Sequence, residues 1–254
     1  MTTTATTAQP ETFTVEYVGE VAIFRFPRTP LYFSSNLAAR DQLLAAFASA
    51  DVDARIRVIV LCGFPEKAGS TEYAEFFRQN LGQAHWLHIH RMLNAFNQFI
   101  EAIVGSRKFV LFGARGTVIS QFINVSLACD YRVVADNTVI QKAYLRHRML
   151  PKGGGAFFLT QLLGRSRALA LLASPDEITA EQALALGIVD EIAPLDRLDQ
   201  AVLDAAERFA TVPASTLSGL KRLVNYSLSA LADYLQFEND QILRILRDAD
   251  FTGQ

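Results

Sequence analysis

The chain has 254 residues, half of them hydrophobic, with 24 basic and 26 acidic residues and a net charge of -2. That length and apolar content support one large domain, or a domain with a smaller extension, whose core needs no disulfide staple. The balanced charge gives no case for nucleic acid, and neither a basic run nor a bilayer-length apolar run argues for a membrane. Cys62 and Cys129 fall in apolar strand and helix patterns and read as buried thiols of a reducing, cytoplasmic compartment.

Residues 1–11 are rich in Thr, lack a basic start and an apolar segment, and read as a disordered tail, not a signal peptide. Residues 13–18 and 21–26 alternate apolar and polar around Gly19-Glu20, the pattern of a β-hairpin. Pro27-Arg28-Thr29-Pro30 breaks it. Residues 36–50 carry Leu37, Leu43, Leu44 and Phe47 on one face of a helix, and 58–62 form an apolar strand ending at Gly63. Strand, helix, strand implies a right-handed crossover. A polar loop at 64–73 leads into a long polar and aromatic segment, 72–103. It ends in an amphipathic helix through Met92, Leu93, Phe96, Phe99, Ile100 and Ile103. Glu72 and Glu75 read as a solvated helix face or as a roof that reaches a ligand. His85 and His88 share a helical face, but no third ligand stands near them, so no metal site is expected.

Two linked stretches follow, 109–130 and 131–159. Each opens with a short apolar run bounded by Gly or Asp, which reads as a buried parallel strand. After Gly116 the period changes. Val118, Phe122, Val125, Ser126 and Cys129 fall at helical spacing, so a helix starts near Ser120. A strand that turns through glycine into a helix presents free N–H groups and a positive dipole end, which suits a developing oxyanion. The second stretch repeats the device, with Pro151 and Gly153 to Gly155 ahead of a helix at 157–163. Further on, Thr179 and Gln182 have capping-box spacing, Gly187 stops that helix, 188–192 make a short strand, and 195–210 and 226–247 are helical.

Leu127-Ala-Cys-Asp-Tyr-Arg-Val-Val-Ala135 resembles the crotonase superfamily of enoyl-CoA hydratase/isomerase-like proteins. Gly116 ahead of it, Pro151 and Gly154-Gly155 behind it, and the run 174–194 extend the resemblance over residues 13–252. It implies an α/β, crotonase-like ββα-superhelix, a spiral of βαβ units. The core would be 12–194, and 195–254 a helical C-terminal trimerisation region, giving a homotrimer or a dimer of trimers. It implies a small-molecule acyl thioester or related carbonyl substrate, with coenzyme A as part of that substrate and no separate cofactor. By the same resemblance, the N–H groups of Ala68 and Gln121 form an oxyanion hole. Lys67, Gly69 and Ser70 line the substrate, and Arg28 is either a phosphate ligand or a solvated loop arginine. Lys221 matches a lysine common in the family. The chain stops soon after Phe251, where many relatives add a helix at the nucleotide, so weaker coenzyme A binding is expected.

The departures sit at the chemistry. The family's three-glycine run is Ser120-Gln121-Phe122, its loop aspartate is Thr71, and its two glutamates fall on Asn124 and Tyr144. Hydration of an enoyl thioester needs two carboxylates. Asn124 exchanges no proton near neutral pH, and Tyr144 is a hydrogen-bond donor or an acid, not a base. His147 titrates near physiological pH and is the histidine best placed for acid or base work, unless Arg146-His147-Arg148 is a solvated turn or an anion-binding cluster. The expectation is a divergent member with Tyr144, Asn124 and His147 in the site, stabilising an enolate with backbone amides and not acting as a standard hydratase. Two other readings stand beside it. One is a non-catalytic acyl-thioester-binding scaffold whose pocket Phe122 or Arg148 fills. The other is a coenzyme A-independent hydrolase of cyclic diketones.

Overall fold

The computed structural model describes residues 12–80 and 86–248. The tail at 1–11, His85 and Phe251 lie outside the described residues. β1 (Thr14–Val18) and β2 (Val21–Arg25) form the expected antiparallel hairpin, and Gly19, at φ 56°, allows its tight turn. The break after β2 is shorter than its two prolines suggest. Pro30 opens a short helix, α1 (Pro30–Ser35), where a missing N–H costs no helical bond. α2 (Leu37–Val52) follows, capped by the Asn36 side chain, which accepts the Ala39 N–H at 3.0 Å. β3 (Val58–Cys62) is buried along its whole length.

The chain then runs through β4 (Lys67–Ala68), α3 (Ser70–Asn80), α4 (Trp86–Gly105), β5 (Phe109–Ala114), β6 (Thr117–Ile119) and α5 (Ser120–Leu127). Next come β7 (Tyr131–Ala135), β8 (Val139–Gln141), α6 (Ala143–Arg146), α7 (Gly155–Leu163) and α8 (Arg165–Ala173). The last elements are β9 (Ile178–Thr179), α9 (Ala180–Ala185), β10 (Glu191–Ala193), α10 (Leu198–Ala210), α11 (Ala214–Asn225) and α12 (Leu231–Asp248). The capping box at Thr179 and Gln182 is present with both of its bonds. The strand expected at 188–192 lies later, because the N–H groups of Ile188 and Val189 both turn back to the Ala183 carbonyl and extend the helix end. The helix expected from Tyr226 begins at Leu231, after a separate 3₁₀ turn at Tyr226–Leu228.

Successive strands feed two sheets in alternation. The larger has the order β1-β2-β3-β5-β7-β10 and the smaller β4-β6-β8-β9 among the described residues. β3 and β4, β5 and β6, then β7 and β8 each give one strand to either sheet before a helix returns the chain. This repeated ββα turn is the expected superhelix. One face of the larger sheet carries Phe24, Ile59, Leu61 and Phe112 into the main core, and the other packs Val60, Leu111 and Val133 on Val202 and Ala206 of α10. A Cβ on Gly113 would lie 2.9 Å from Val202 Cγ2, so glycine there lets α10 close on the sheet. Lys221 of α11 is buried and reaches Asp130 Oδ2 at 2.7 Å and the carbonyls of Ile103 and Lys108. It fastens α11 to the chain entering β5 and β7.

For the site, the consequence is positional. β4, β6 and β8 run parallel and side by side, and their C-terminal ends lead into α3, α5 and α6. Three helix beginnings therefore gather at one edge of the smaller sheet.

Candidate active site

Gly116 has φ 66°, and a Cβ there would run into the Glu66 carbonyl; glycine is required for β5 to turn into β6 beside β4. β6 then enters α5 at Ser120. Ile119, the residue ahead, offers no side-chain cap. The N–H of Gln121, second in the helix, is thus one of the donors that an uncapped helix start leaves free. Arg148 is the one non-glycine residue with positive φ among the described residues. Gln121 therefore holds the family's glycine position in ordinary helical geometry.

The partner amide is placed differently from expectation. Thr117 N–H donates to Glu66 O at 2.8 Å, and Lys67 pairs with Thr117 in a parallel ladder. That register gives the Ala68 N–H to the Thr117 carbonyl, so it is a sheet donor. Ser70, at the start of α3, is the amide beyond the ladder. Its N–H donates to Gln141 Oε1 at 2.8 Å and its hydroxyl to the same oxygen at 2.9 Å, while Gln141 Nε2 donates to Glu177 at 2.7 Å. A Cβ on Gly69 would lie 2.7 Å from Gln141 Oε1, so glycine makes room for this contact.

Neither side chain at the family's glutamate positions is free. Asn124 is buried and donates from Nδ2 to Lys152 O at 2.6 Å, packed against Gly153 and Gly155. Tyr144 is buried too, and its hydroxyl donates to Leu172 O at 2.7 Å; burial pushes the phenol far above its ordinary range. His147 is half-buried against Phe77 (centroids 5.1 Å apart) and Tyr73 (5.3 Å). Burial, then Arg146, lowers its pKa. Arg28 is exposed over the Tyr32 ring and lines a cleft of about 340 Å³ with Glu72 and Glu75; Lys67 is exposed. Phe122 packs in the core on Phe64, centroids 5.6 Å apart, and Arg148 is exposed.

A narrow cavity of about 40 Å³ lies beside the start of α5. Tyr73, Gln121 and Lys152 line it, with Phe96, Met149 and Ile242; Phe122 and Arg148 do not. No carboxylate is on its wall. Gln121 is 3% exposed, its side-chain amide meets the Tyr73 hydroxyl, and burial pushes that phenol up to about 12. Behind the wall is a cluster that sequence reasoning missed. Lys152 Nζ lies 2.8 Å from Glu238 Oε2 and also bonds Asn97 Oδ1. Glu238 accepts the N–H groups of Gly153 and Gly154, each at 3.0 Å. Burial pulls the Lys152 ammonium below the usual lysine range, and Glu238 opposes that. One signal was available: Glu238 falls in the helical register of Leu235 and Ile242, on the buried face of α12 that it shares with Asn239.

Residues 21–250 match the enoyl-CoA hydratase/isomerase family. The chain belongs to that family. A probable enoyl-CoA hydratase of Rhizobium meliloti is 26% identical over 229 residues, 90% of this chain and 87% of that protein. A 6-oxocyclohex-1-ene-1-carbonyl-CoA hydrolase of Geobacter metallireducens is 27% identical over 157 residues, 60% of this chain and 40% of that protein. A solved enoyl-CoA hydratase from Mycobacterium avium subsp. paratuberculosis superposes with a TM-score of 0.77 at 21% identity, over 96% of this chain and 98% of its own. The shared fold is that of this enoyl-CoA hydratase/isomerase family member. No helix among the described residues is long and apolar enough to cross a membrane.

Proposed function

We propose that this family member is an enzyme that binds an acyl thioester, or a carbonyl presented in the same way, at the start of α5. Main-chain N–H groups there stabilise an enolate-like oxyanion, and the protein is not a standard enoyl-CoA hydratase. The observation that carries the reading is the uncapped start of α5 at Gln121, beside a cavity with no carboxylate on its wall. The carbonyl oxygen accepts from Gln121 N–H and gains from the positive end of the helix. Ser70 N–H is the second donor. It now holds the neutral Gln141 amide oxygen, and a developing oxyanion is the stronger acceptor.

With Asn124 and Tyr144 committed to carbonyls, proton transfer by a carboxylate pair is absent from the scheme. Lys152 is the amine on the cavity wall, and burial shifts it in the direction proton transfer near neutral pH needs. Coenzyme A enters as part of the substrate, with Arg28 and Lys67 as the cations for its phosphates. The reading uses no metal or separate cofactor. Leu223, Val224 and Tyr226 are exposed at or next to the end of α11 and support contacts between copies in a homotrimer or dimer of trimers. Buried, unpaired Cys62 and Cys129 suit the cytoplasm.

A coenzyme A-independent carbon–carbon bond hydrolase of cyclic diketones has less support, because the Geobacter hydrolase that this chain resembles is named for a coenzyme A ester. A non-catalytic scaffold has less support too, because Phe122 and Arg148 leave the cavity unfilled.

Calorimetry with acetyl-CoA and crotonyl-CoA, with turnover followed in the same samples, tests the proposal. Binding of both without hydration of crotonyl-CoA is expected. No binding at millimolar ligand would overturn the thioester reading, and brisk hydration would overturn the exclusion of hydratase chemistry.

A further inference from the structure

Two polar side chains on the cavity wall have bonding capacity that the fold leaves unused. Gln121 is 3% exposed, and its Oε1 has no partner among the described residues. Lys152 is 6% exposed. An ammonium has three donors; Glu238 takes one and Asn97 another. Both residues line the same cavity, whose remaining wall is largely apolar, with Leu93, Phe96, Met149 and Ile242. A buried amide end without a partner is costly, and each such group calls for an explanation.

We propose that Gln121 and Lys152 form a subsite that selects an acyl group carrying a hydroxyl near its carbonyl. This rests on the reading that the carbonyl sits at the Gln121 N–H, and adds a role for the same residue's side chain. A hydroxyl both donates and accepts. It donates to Gln121 Oε1 and accepts from the third N–H of Lys152. The match survives a turn of the Gln121 amide, because the hydroxyl oxygen has two lone pairs and then accepts from Nε2 and Nζ together. A methyl group satisfies neither partner. A carboxylate has no proton for Gln121 Oε1 and, in either setting of the amide, brings a second negative charge beside Glu238 across Lys152.

Size agrees with this. A water-sized group needs roughly 10–15 Å³ by this measure, so a cavity of about 40 Å³ takes a hydroxyl and one or two carbons. One glutamine contacts both ligand oxygens, through its main-chain N–H and its side chain. The hydroxyl therefore stands on about the second to fourth carbon from the thioester.

The test titrates the full-length protein with matched ligands by calorimetry. Butanoyl-CoA is compared with 2-hydroxy-, 3-hydroxy- and 4-hydroxybutanoyl-CoA, and the same four acyl groups are offered as methyl esters without coenzyme A. A preference of at least tenfold for one hydroxylated member is expected, with the ratio falling to within threefold of one in Gln121→Met. That variant keeps the main-chain N–H and the Lys152–Glu238 pair, so it guards against a Lys152→Met protein that fails to fold. Equal affinities across each series, or a preference that survives Gln121→Met, would overturn the subsite. Coenzyme A esters that bind without preference sink the subsite and leave the thioester reading standing. Methyl esters that show the preference while coenzyme A esters do not bind sink the thioester reading and keep the subsite. No binding of any ligand overturns both.

Discussion

Lys152 and Glu238 meet as a buried ion pair, Nζ to Oε2 at 2.8 Å, and join the glycine loop ahead of α7 to the last helix across 86 residues of sequence. The carboxylate also holds the N–H groups of Gly153 and Gly154, so it fixes the loop on which Asn124 leans. Removing one member of a buried pair strands the other, at a cost of about 3–5 kcal/mol. Glu238→Leu should cost more than Lys152→Met, because it also strands two main-chain donors. The double variant should lose less than the sum of the singles. Urea unfolding of all four proteins checks this as a double-mutant cycle; strictly additive losses would mean that the pair is not coupled.

Gln141 holds the beginning of α3 as an N-cap would, with its Oε1 on both Ser70 donors. Gln141→Ala should cost about 0.5–2 kcal/mol, the range for loss of a capping side chain. It also releases the Ser70 amide for a ligand, so crotonyl-CoA should bind several-fold more tightly. Thermal melts and calorimetry on one preparation read both effects. A fall in affinity would show that Gln141 supports the ligand instead of competing with it.

Arg148 is exposed and has φ 53°, in the left-handed region that L side chains avoid. Such a backbone costs on the order of 1–2 kcal/mol. Glycine removes that strain but adds freedom to the unfolded chain. Arg148→Gly should therefore gain about 0.5–1 kcal/mol, and Arg148→Val, branched at Cβ, should lose about 1–2 kcal/mol. Thermal unfolding compares the three. A destabilised glycine variant would show that the guanidinium makes a bond worth more than the strain.

What could be read in the sequence was local. The hairpin, β3, β5, the start of α5 and the Thr179–Gln182 box rest on apolar runs, glycine turns and short-range caps, which lie within a few residues of one another. Lys221 stood out only through the family likeness, and its bond to Asp130, 91 residues away, was not legible. α1 was hidden because Pro27 and Pro30 read as a break, although proline is welcome at a helix's first position. Tyr144 was assigned by its place in the family motif, but its long ring carries the hydroxyl to the Leu172 carbonyl. The Lys152–Glu238 pair has no local pattern, since its members come from distant elements. Only the phase of Glu238 among the apolar residues of α12 hinted at burial.

His147 offers a pH test. Its ring stacks on Phe77 at 5.1 Å and 26° and touches Tyr73. Burial there, and next the Arg146 charge, lower its pKa from 6.5. Just below pH 6.5 the unfolded chain therefore binds the proton before the folded one does, and stability falls as pH falls. The contribution of neutral His147 is complete above 6.5 and is lost as pH drops through the folded midpoint. NMR titration of the ring should give a midpoint below 6.5 that rises in Arg146→Gln. His147→Phe keeps an aromatic ring against Phe77 but cannot titrate, so its urea midpoint should decline less between pH 6.5 and 5 than that of the parent. An unchanged decline would assign the pH dependence to other groups, and a ring midpoint at or above 6.5 would show that the stack against Phe77 does not desolvate it.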